Sequence, residues 1–356
     1  VTIHYADGQL TLHRGDALAV LGELPAESVH CVVTSPPYFG LRDYGEPGQY
    51  GLESGPAEYV ERMRQVFAEV RRVLAADGTL WLNLGDTYSR GNGQGNTGPS
   101  STLQGGARPS FRADGAPVAP DRRLGGLPEK NLLGVPWMVA FALQADGWFL
   151  RNAIVWSKPN AMPESVTDRL ACRYEHVFLF SRSSRYWFDL NPIREPLAHP
   201  GALTEGKVFG GTNRGEGKVG ASARRSGRNR SVYGAKYGGP VGGQPPQTNG
   251  VATGRRHRTA HGVGRNPGDV WTMSTQPFPE AHFAVMPPAL AERCVLAGCR
   301  PGGTVLDPFC GSGTAGMVAL KHGRRFVGID LSAKYLDLAL RTRLGQGALI
   351  PDEEVA

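Results

Sequence analysis

The run Thr304-Val305-Leu306-Asp307-Pro308-Phe309-Cys310-Gly311-Ser312-Gly313-Thr314 lays down a strand, a glycine loop and the start of a helix. Its first residues are β-branched and apolar and follow the turn Pro301-Gly302-Gly303. The residues after it, Ala315 to Lys321, have helix-forming composition. Glycines let a backbone approach a ligand closely, and the free N–H groups at a helix start favour a polar or anionic group. Arg325 to Asp330 then reads as a second strand ending in a carboxylate, the usual means by which an α/β crossover holds a ribose through its hydroxyls. Gly311, Gly313 and Gly316 also satisfy the dinucleotide pattern G-x-G-x-x-G. However, too few residues follow Asp330 for the further strand and helix units that such a site occupies. A Walker-type phosphate loop fails because no lysine precedes Thr314.

A second informative segment, Thr34-Ser35-Pro36-Pro37-Tyr38, follows the buried-strand pattern Val29 to Val33. Two prolines fix φ, remove backbone donors and push Ser35 out of the helical region, so the strand exits into a stiff loop with unpaired carbonyls. A hydroxyl, free acceptors and an aromatic face suit a planar group carrying N–H donors, such as a nucleobase amine. Proline-rich turn punctuation is the simpler alternative for the segment taken alone.

Together these two segments resemble the S-adenosyl-L-methionine-dependent amino-methyltransferases of DNA. There Asp-Pro-Phe-x-Gly-Ser-Gly-Thr is the cofactor motif and Ser-Pro-Pro-Tyr the catalytic motif. The catalytic motif comes first here, as in the circularly permuted β group. The resemblance covers roughly residues 10 to 195 and 270 to 345. It implies a Rossmann-like class I methyltransferase fold, α/β, with a mostly parallel seven-stranded sheet between helices. It also assigns roles. Ser35 and the Pro36 carbonyl, stiffened by Pro37, accept the target amine, and Tyr38 stacks on a flipped base. Asp330 holds the ribose. Thr34, Asp307, Phe309 and the loop Gly311, Ser312, Gly313 and Thr314 hold the rest of the cofactor. Phe283 and Pro287, in a segment before a helix at Ala289 to Ala297, are candidates to pack on it. Asp16 is assigned to the adenine amine, with a helix N-cap for Ala17 to Leu24 as the alternative. An aromatic of Arg185-Tyr186-Trp187-Phe188, read as a strand pairing with Tyr174 to Phe180, is expected beside the flipped base, and Trp187 is the choice. Trp156-Ser157-Lys158-Pro159 is similar to a further family motif at a strand end.

Composition is compatible with this. The 356 residues carry a net charge of +7, suited to a polyanionic partner, although charge alone does not separate nucleic acid from an anionic membrane. The five cysteines are scattered and Cys294 and Cys299 lack a second ligand pair, so neither a disulfide framework nor a metal site is expected. No apolar run of membrane-spanning length and no signal core is present, which points to a cytoplasmic protein without membrane association.

Four parts are expected: a catalytic half over 1–195, an insertion over 196–268, a cofactor-binding half over 269–345 and a tail over 346–356. Val1 to Leu12 alternates as a hairpin about Asp7-Gly8. Ala57 to Leu74 is an amphipathic helix, and Asp77-Gly78 reads as a turn before a strand at Thr79 to Leu84. Residues 89–131 lose apolar periodicity. Either they form a DNA-contacting loop through Arg108, Arg112, Arg122 and Arg123, or they are a structureless insertion. From Gly201 to Gly268 there are eighteen glycines and twelve Lys or Arg against two acidic residues. In the permuted group the target-recognition region sits at this place. Arg224, Arg225, Arg228, Arg230, Arg255, Arg256 and Arg258 are therefore candidates for phosphates or guanine edges, with a basic linker as the alternative.

Double-stranded DNA is the implied partner, and a homodimer and a cognate restriction endonuclease are further possible ones. Serine at position 35 resembles the cytosine-N4 enzymes, adenine-N6 being the alternative. A catalytically silent DNA-binding protein of the same fold is an alternative from another class. The Pro-Cys pair of the cytosine-C5 enzymes does not occur.

Overall fold

Along Cys31-Val32-Val33 successive side chains go to opposite faces of one sheet, and both faces are buried. The same alternation holds at Leu80-Trp81-Leu82 and Val177-Phe178-Leu179. The computed structural model describes residues 2–89, 127–196, 264–276 and 285–345. By their contacts the residues divide into Val1–Arg194 with Asn266–Ala356, and Glu195–Arg265. The second unit is described only at its ends, where Glu195 and Arg265 form an antiparallel bridge and an ion pair at 3.0 Å.

The larger unit holds strands β1 (Thr2–Ala6), β2 (Leu10–Arg14), β3 (Val29–Thr34), β4 (Leu74–Leu84), β5 (Phe149–Ser157), β6 (Tyr174–Ser181), β7 (Val270–Thr272), β8 (Thr304–Asp307) and β9 (Arg325–Asp330). Its helices are α1 (Ala17–Glu23), α2 (Pro56–Val73), α3 (Val135–Ala145), α4 (Pro288–Gly298), α5 (Thr314–Lys321) and α6 (Ala333–Ala339). Among the described residues the sheet has nine strands and not seven, in the order β1-β2-β9-β8-β3-β4-β6-β5-β7. The additions are the edges. The N-terminal hairpin contributes β1, and three residues after the insertion contribute β7 beside β5. Strands β2, β9, β8, β3 and β4 run parallel, and β6 lies antiparallel between β4 and β5.

Helices α1 to α3 cover one face and α4 to α6 the other. Helix α2 shows why. Pro56 supplies a preset φ at its first turn, and Tyr59, Met63, Val66, Phe67, Val70 and Val73 recur at helical spacing and are buried. Each such side chain contributes about 1.5–3 kcal/mol by leaving water. Asp77-Gly78 does not precede a strand but lies inside β4. The register with β3 slips there, between the Val29↔Leu74 and Cys31↔Thr79 pairs.

The chain leaves β8 for β9 on one side and β3 for β4 on the other, so β8 and β3 flank the point where strand order reverses. Ligand clefts of open α/β sheets form at such a point, beyond the carboxyl ends of the strands. Thr34, Asp307 and Asp330 end β3, β8 and β9 at this edge. Because β6 is antiparallel, its amino end, Tyr174 and Glu175, arrives at the same edge.

The expected strand at Arg185 to Phe188 is not formed. These residues are coil, and the Trp187 N–H donates to the Asp77 carbonyl near the amino end of β4. Trp187 therefore stands at the opposite edge of the sheet from the Ser-Pro-Pro-Tyr loop. The partners of β6 are already taken on both sides by β4 and β5, which leaves no edge for a further strand.

Candidate active site

The glycine loop between β8 and α5 is closed by the carboxylate of β9. Gly311 N–H donates to Asp330 Oδ2 at 2.8 Å, and Ser332 N–H to Asp330 Oδ1 at 2.9 Å. Gly313, the N-cap of α5, has φ +77°, a left-handed conformation that glycine adopts without a Cβ penalty. Arg343, from the turn after α6, donates to Ser312 Oγ at 3.0 Å and to the Thr314 hydroxyl, so both loop hydroxyls are fixed from behind. Asp307 Oδ1 accepts from Thr34 Oγ1 at 2.6 Å and from Phe309 N–H at 3.0 Å. The last residue of β3 is thus tied directly to the last residue of β8.

A cleft of about 130 Å³ opens above these strands. Ser35, Pro37, Asp16, Asp307, Phe309, Gly311, Ser312, Thr314 and Asp330 all line it. Residues nearly three hundred positions apart in sequence are thereby brought together around one space. Burial pushes the Asp307 carboxyl up to about 7 and that of Asp330 up to about 6. A bound cation favours their ionised forms.

Asp16 serves both readings of the sequence. Oδ1 caps α1 by accepting from Ala19 N–H at 3.0 Å, while Oδ2 accepts from the Tyr50 hydroxyl at 2.9 Å at the cleft wall. Tyr50 sets its ring edge-on against Phe309, with centroids 5.5 Å apart.

Other expected residues fall elsewhere. Thr34 is fully buried and supports Asp307 from behind the cleft. Pro287 caps α4, and its carbonyl accepts from Leu290 and Ala291; Val285 and Met286 line the cleft in its place. Phe283, Arg108, Arg112, Arg122, Arg123 and the insertion arginines Arg224, Arg225, Arg228, Arg230, Arg255, Arg256 and Arg258 lie outside the described residues. The base of the 89–131 stretch is described. Ser89 pairs with Asn131 and Lys130, and Tyr88 bridges Leu132.

In the catalytic loop the Tyr59 hydroxyl donates to the Pro37 carbonyl at 2.9 Å, while Pro36 is buried. The Tyr38 ring lies against Gly85 just past β4, where an added Cβ would fall 2.6 Å from Cε2. The Ser35 hydroxyl donates to the Tyr38 oxygen at 3.2 Å, and Tyr38 donates to Glu175 Oε2 at 2.7 Å. Burial, and after it the Glu175 charge, holds the Tyr38 phenol well above its ordinary range.

Several cleft residues escape a reading of sequence alone: Tyr44, Glu46, Gln49 and Tyr50 from the loop after the catalytic motif, and Tyr335 from α6. The repeated Tyr-Gly pairs at 44–45 and 50–51 were the available signal. Three carboxylates with aromatic walls from Tyr50, Phe309 and Tyr335 fit the sulfonium, hydroxyls and adenine of S-adenosyl-L-methionine.

Comparison with known proteins agrees. The sequence profile of the DNA methylase family, N6 and N4 methyltransferases, matches residues 29–341. The chain is 41% identical over 338 residues to the Type II methyltransferase M.XycI of Xanthomonas campestris pv. cyanopsidis, covering 95% of this chain and 89% of that protein. It is 40% identical over 326 residues to M.SmaI of Serratia marcescens, covering 91% and 87%. In fold it is similar to the PvuII DNA methyltransferase (cytosine-N4-specific), with a TM-score of 0.57 at 16% identity over 99% of this chain and 90% of that one. It is likewise similar to a DNA modification methylase of Thermus thermophilus complexed with S-adenosyl-L-methionine, with a TM-score of 0.51 at 22% identity over 96% of each chain. The chain belongs to the DNA methylase family of N6- and N4-amino-methyltransferases, whose methyl donor is S-adenosyl-L-methionine.

Proposed function

We propose that this enzyme methylates the exocyclic N4 of cytosine in duplex DNA, taking the target base out of the stack and into the cleft. The observation that carries the reading is the Ser35 hydroxyl. It is a neutral acceptor at the end of β3, lining the same cleft as Asp307 and Asp330. S-adenosyl-L-methionine, when bound, supplies a methyl group on a sulfonium, which leaves as a neutral thioether. Asp330 holds the ribose hydroxyls, Asp16 and Phe309 the adenine, and Asp307 the methionyl end. Ser35 Oγ and the Pro36 carbonyl accept the two amine hydrogens, which turns the nitrogen lone pair out of conjugation and toward the methyl group. Tyr38 stacks on the base. Positioning of this kind supplies most of the acceleration, since a reacting pair held at attack distance needs little further rearrangement. The arginines of the 196–268 insertion neutralise DNA phosphates.

The test is chemical. Duplex DNA modified with tritiated S-adenosylmethionine is digested to nucleosides, and the label is expected in N4-methylcytosine. Label in N6-methyladenine would retain the family and overturn the base assignment. Cofactor binding with no label in any DNA would indicate a silent DNA-binding protein.

A further inference from the structure

We propose that Glu175 is a positioning residue for methyl transfer, orienting the Ser35 hydroxyl through Tyr38 so that its oxygen faces the target amine only as an acceptor. The inference rests on the reading of Ser35 given above.

A serine hydroxyl is ambivalent: it can donate or accept. Toward an amine whose hydrogens must be received, a hydroxyl that turns its own proton to the nitrogen lone pair is counterproductive. The polar groups behind Ser35 remove that freedom. Glu175 Oε2 accepts from the Tyr38 hydroxyl at 2.7 Å and from Asn83 Nδ2 at 3.0 Å, and Lys158 Nζ pairs with Oε1. Three donors converge on one carboxylate whose side chain is 17% exposed. With its proton committed to Glu175, the Tyr38 oxygen offers only lone pairs, and Ser35 donates to it at 3.2 Å. The free lone pairs of Ser35 then face the cleft.

The anchor is held from several sides. Asn83 Nδ2 also donates to the His176 carbonyl at 3.1 Å, and Lys158 lies over the Trp156 ring at 4.4 Å from its centroid. Gly85 leaves the room that the Tyr38 ring occupies. Asn83 comes from β4, Glu175 from β6 and Lys158 from the residue after β5, all at the same sheet edge, so the constellation is built by the fold and not by one loop.

The experiment measures single-turnover transfer of tritiated methyl to duplex DNA in a double-mutant cycle of Glu175→Ala and Ser35→Ala. Glu175→Ala alone is expected to slow transfer about tenfold to a hundredfold, the effect of losing a hydrogen bond to a charged group. Its cofactor affinity should stay within about twofold. In the Ser35→Ala background it should cost less than about twofold more, because the hydroxyl it orients is gone. The pair Glu175→Gln with Lys158→Met should recover most of the rate, since the glutamine oxygen can again accept from Tyr38 without facing an ammonium. Losses that multiply in the double variant, or full-speed transfer by Glu175→Ala, would overturn the positioning role. If Glu175→Ala does not fold, Tyr38→Phe cuts the same chain one link earlier and must obey the same cycle. No label from the unaltered protein would defeat the methyltransferase reading itself, an outcome distinct from multiplied losses.

Discussion

Gly85→Ala places a methyl group where the Tyr38 ring now lies, 2.6 Å from Cε2 and 2.7 Å from Cδ2. Carbon atoms in contact rest at about 3.5–4.0 Å, so the ring must retreat by roughly 1 Å. The Ser35–Tyr38 hydrogen bond is 3.2 Å and the Tyr38–Glu175 bond 2.7 Å, and a displacement of that size takes at least one beyond hydrogen-bonding length. A shift of about 1 Å in a positioned group costs on the order of a hundredfold in rate, and overpacking costs about 1–3 kcal/mol of stability. The cofactor groups Asp16, Phe309 and Asp330 lie on other strands and loops, so cofactor affinity should change by no more than about threefold. Single-turnover methyl transfer, calorimetry with S-adenosylmethionine and thermal unfolding separate these quantities. Unchanged transfer in a folded Gly85→Ala variant would refute the assignment of Tyr38. Gly22→Ala is the control: nothing lies within 4 Å of its added Cβ, and in α1 it should raise stability by about 0.5–1 kcal/mol with full activity.

Ser35→Ala should lower transfer by at least about tenfold while leaving cofactor binding intact, and Asp330→Ala should weaken cofactor binding first; equal calorimetric losses in the two would contradict this division. Burial holds the Asp307 carboxyl at about 7, so the folded protein keeps a proton that the unfolded chain has released. Stability of the ligand-free protein should therefore be greatest below about pH 4 for this group and fall as pH rises toward 7, by at most about 4 kcal/mol. Asp307→Asn, which can keep both hydrogen bonds to Oδ1, should flatten that slope in urea unfolding at several pH values, and an unaltered slope would count against it. Replacing Arg224, Arg225, Arg228 and Arg230 by alanine should reduce the log–log salt slope of DNA binding by roughly 0.9 for each phosphate no longer neutralised, with cofactor binding preserved. An unchanged slope and affinity would make the insertion a bystander.

The α/β crossover from Thr304 to Asp330, the buried β3, the amphipathic α2 and the identity of both motif loops were legible in the chain itself. Their signals are local: apolar periodicity, glycine and proline at fixed offsets, a carboxylate closing a strand. Asp16 was legible twice over, because a short acidic side chain before a helix can cap it with one oxygen and leave the other for a ligand. Tertiary structure decided what depends on strand order. That β6 inserts antiparallel between β4 and β5 is not written in its composition, yet this placement carries Glu175 to the catalytic edge and fills both sides of β6. With no free edge to join, Arg185 to Phe188 stays coil and Trp187 stands at the far edge of the sheet. Likewise Tyr44, Tyr50 and Tyr335 acquire a function only through the cleft they share. Pairing between distant segments is a collective property, fixed by which apolar faces cover one another. A sequence read in windows carries the faces but not the choice among partners.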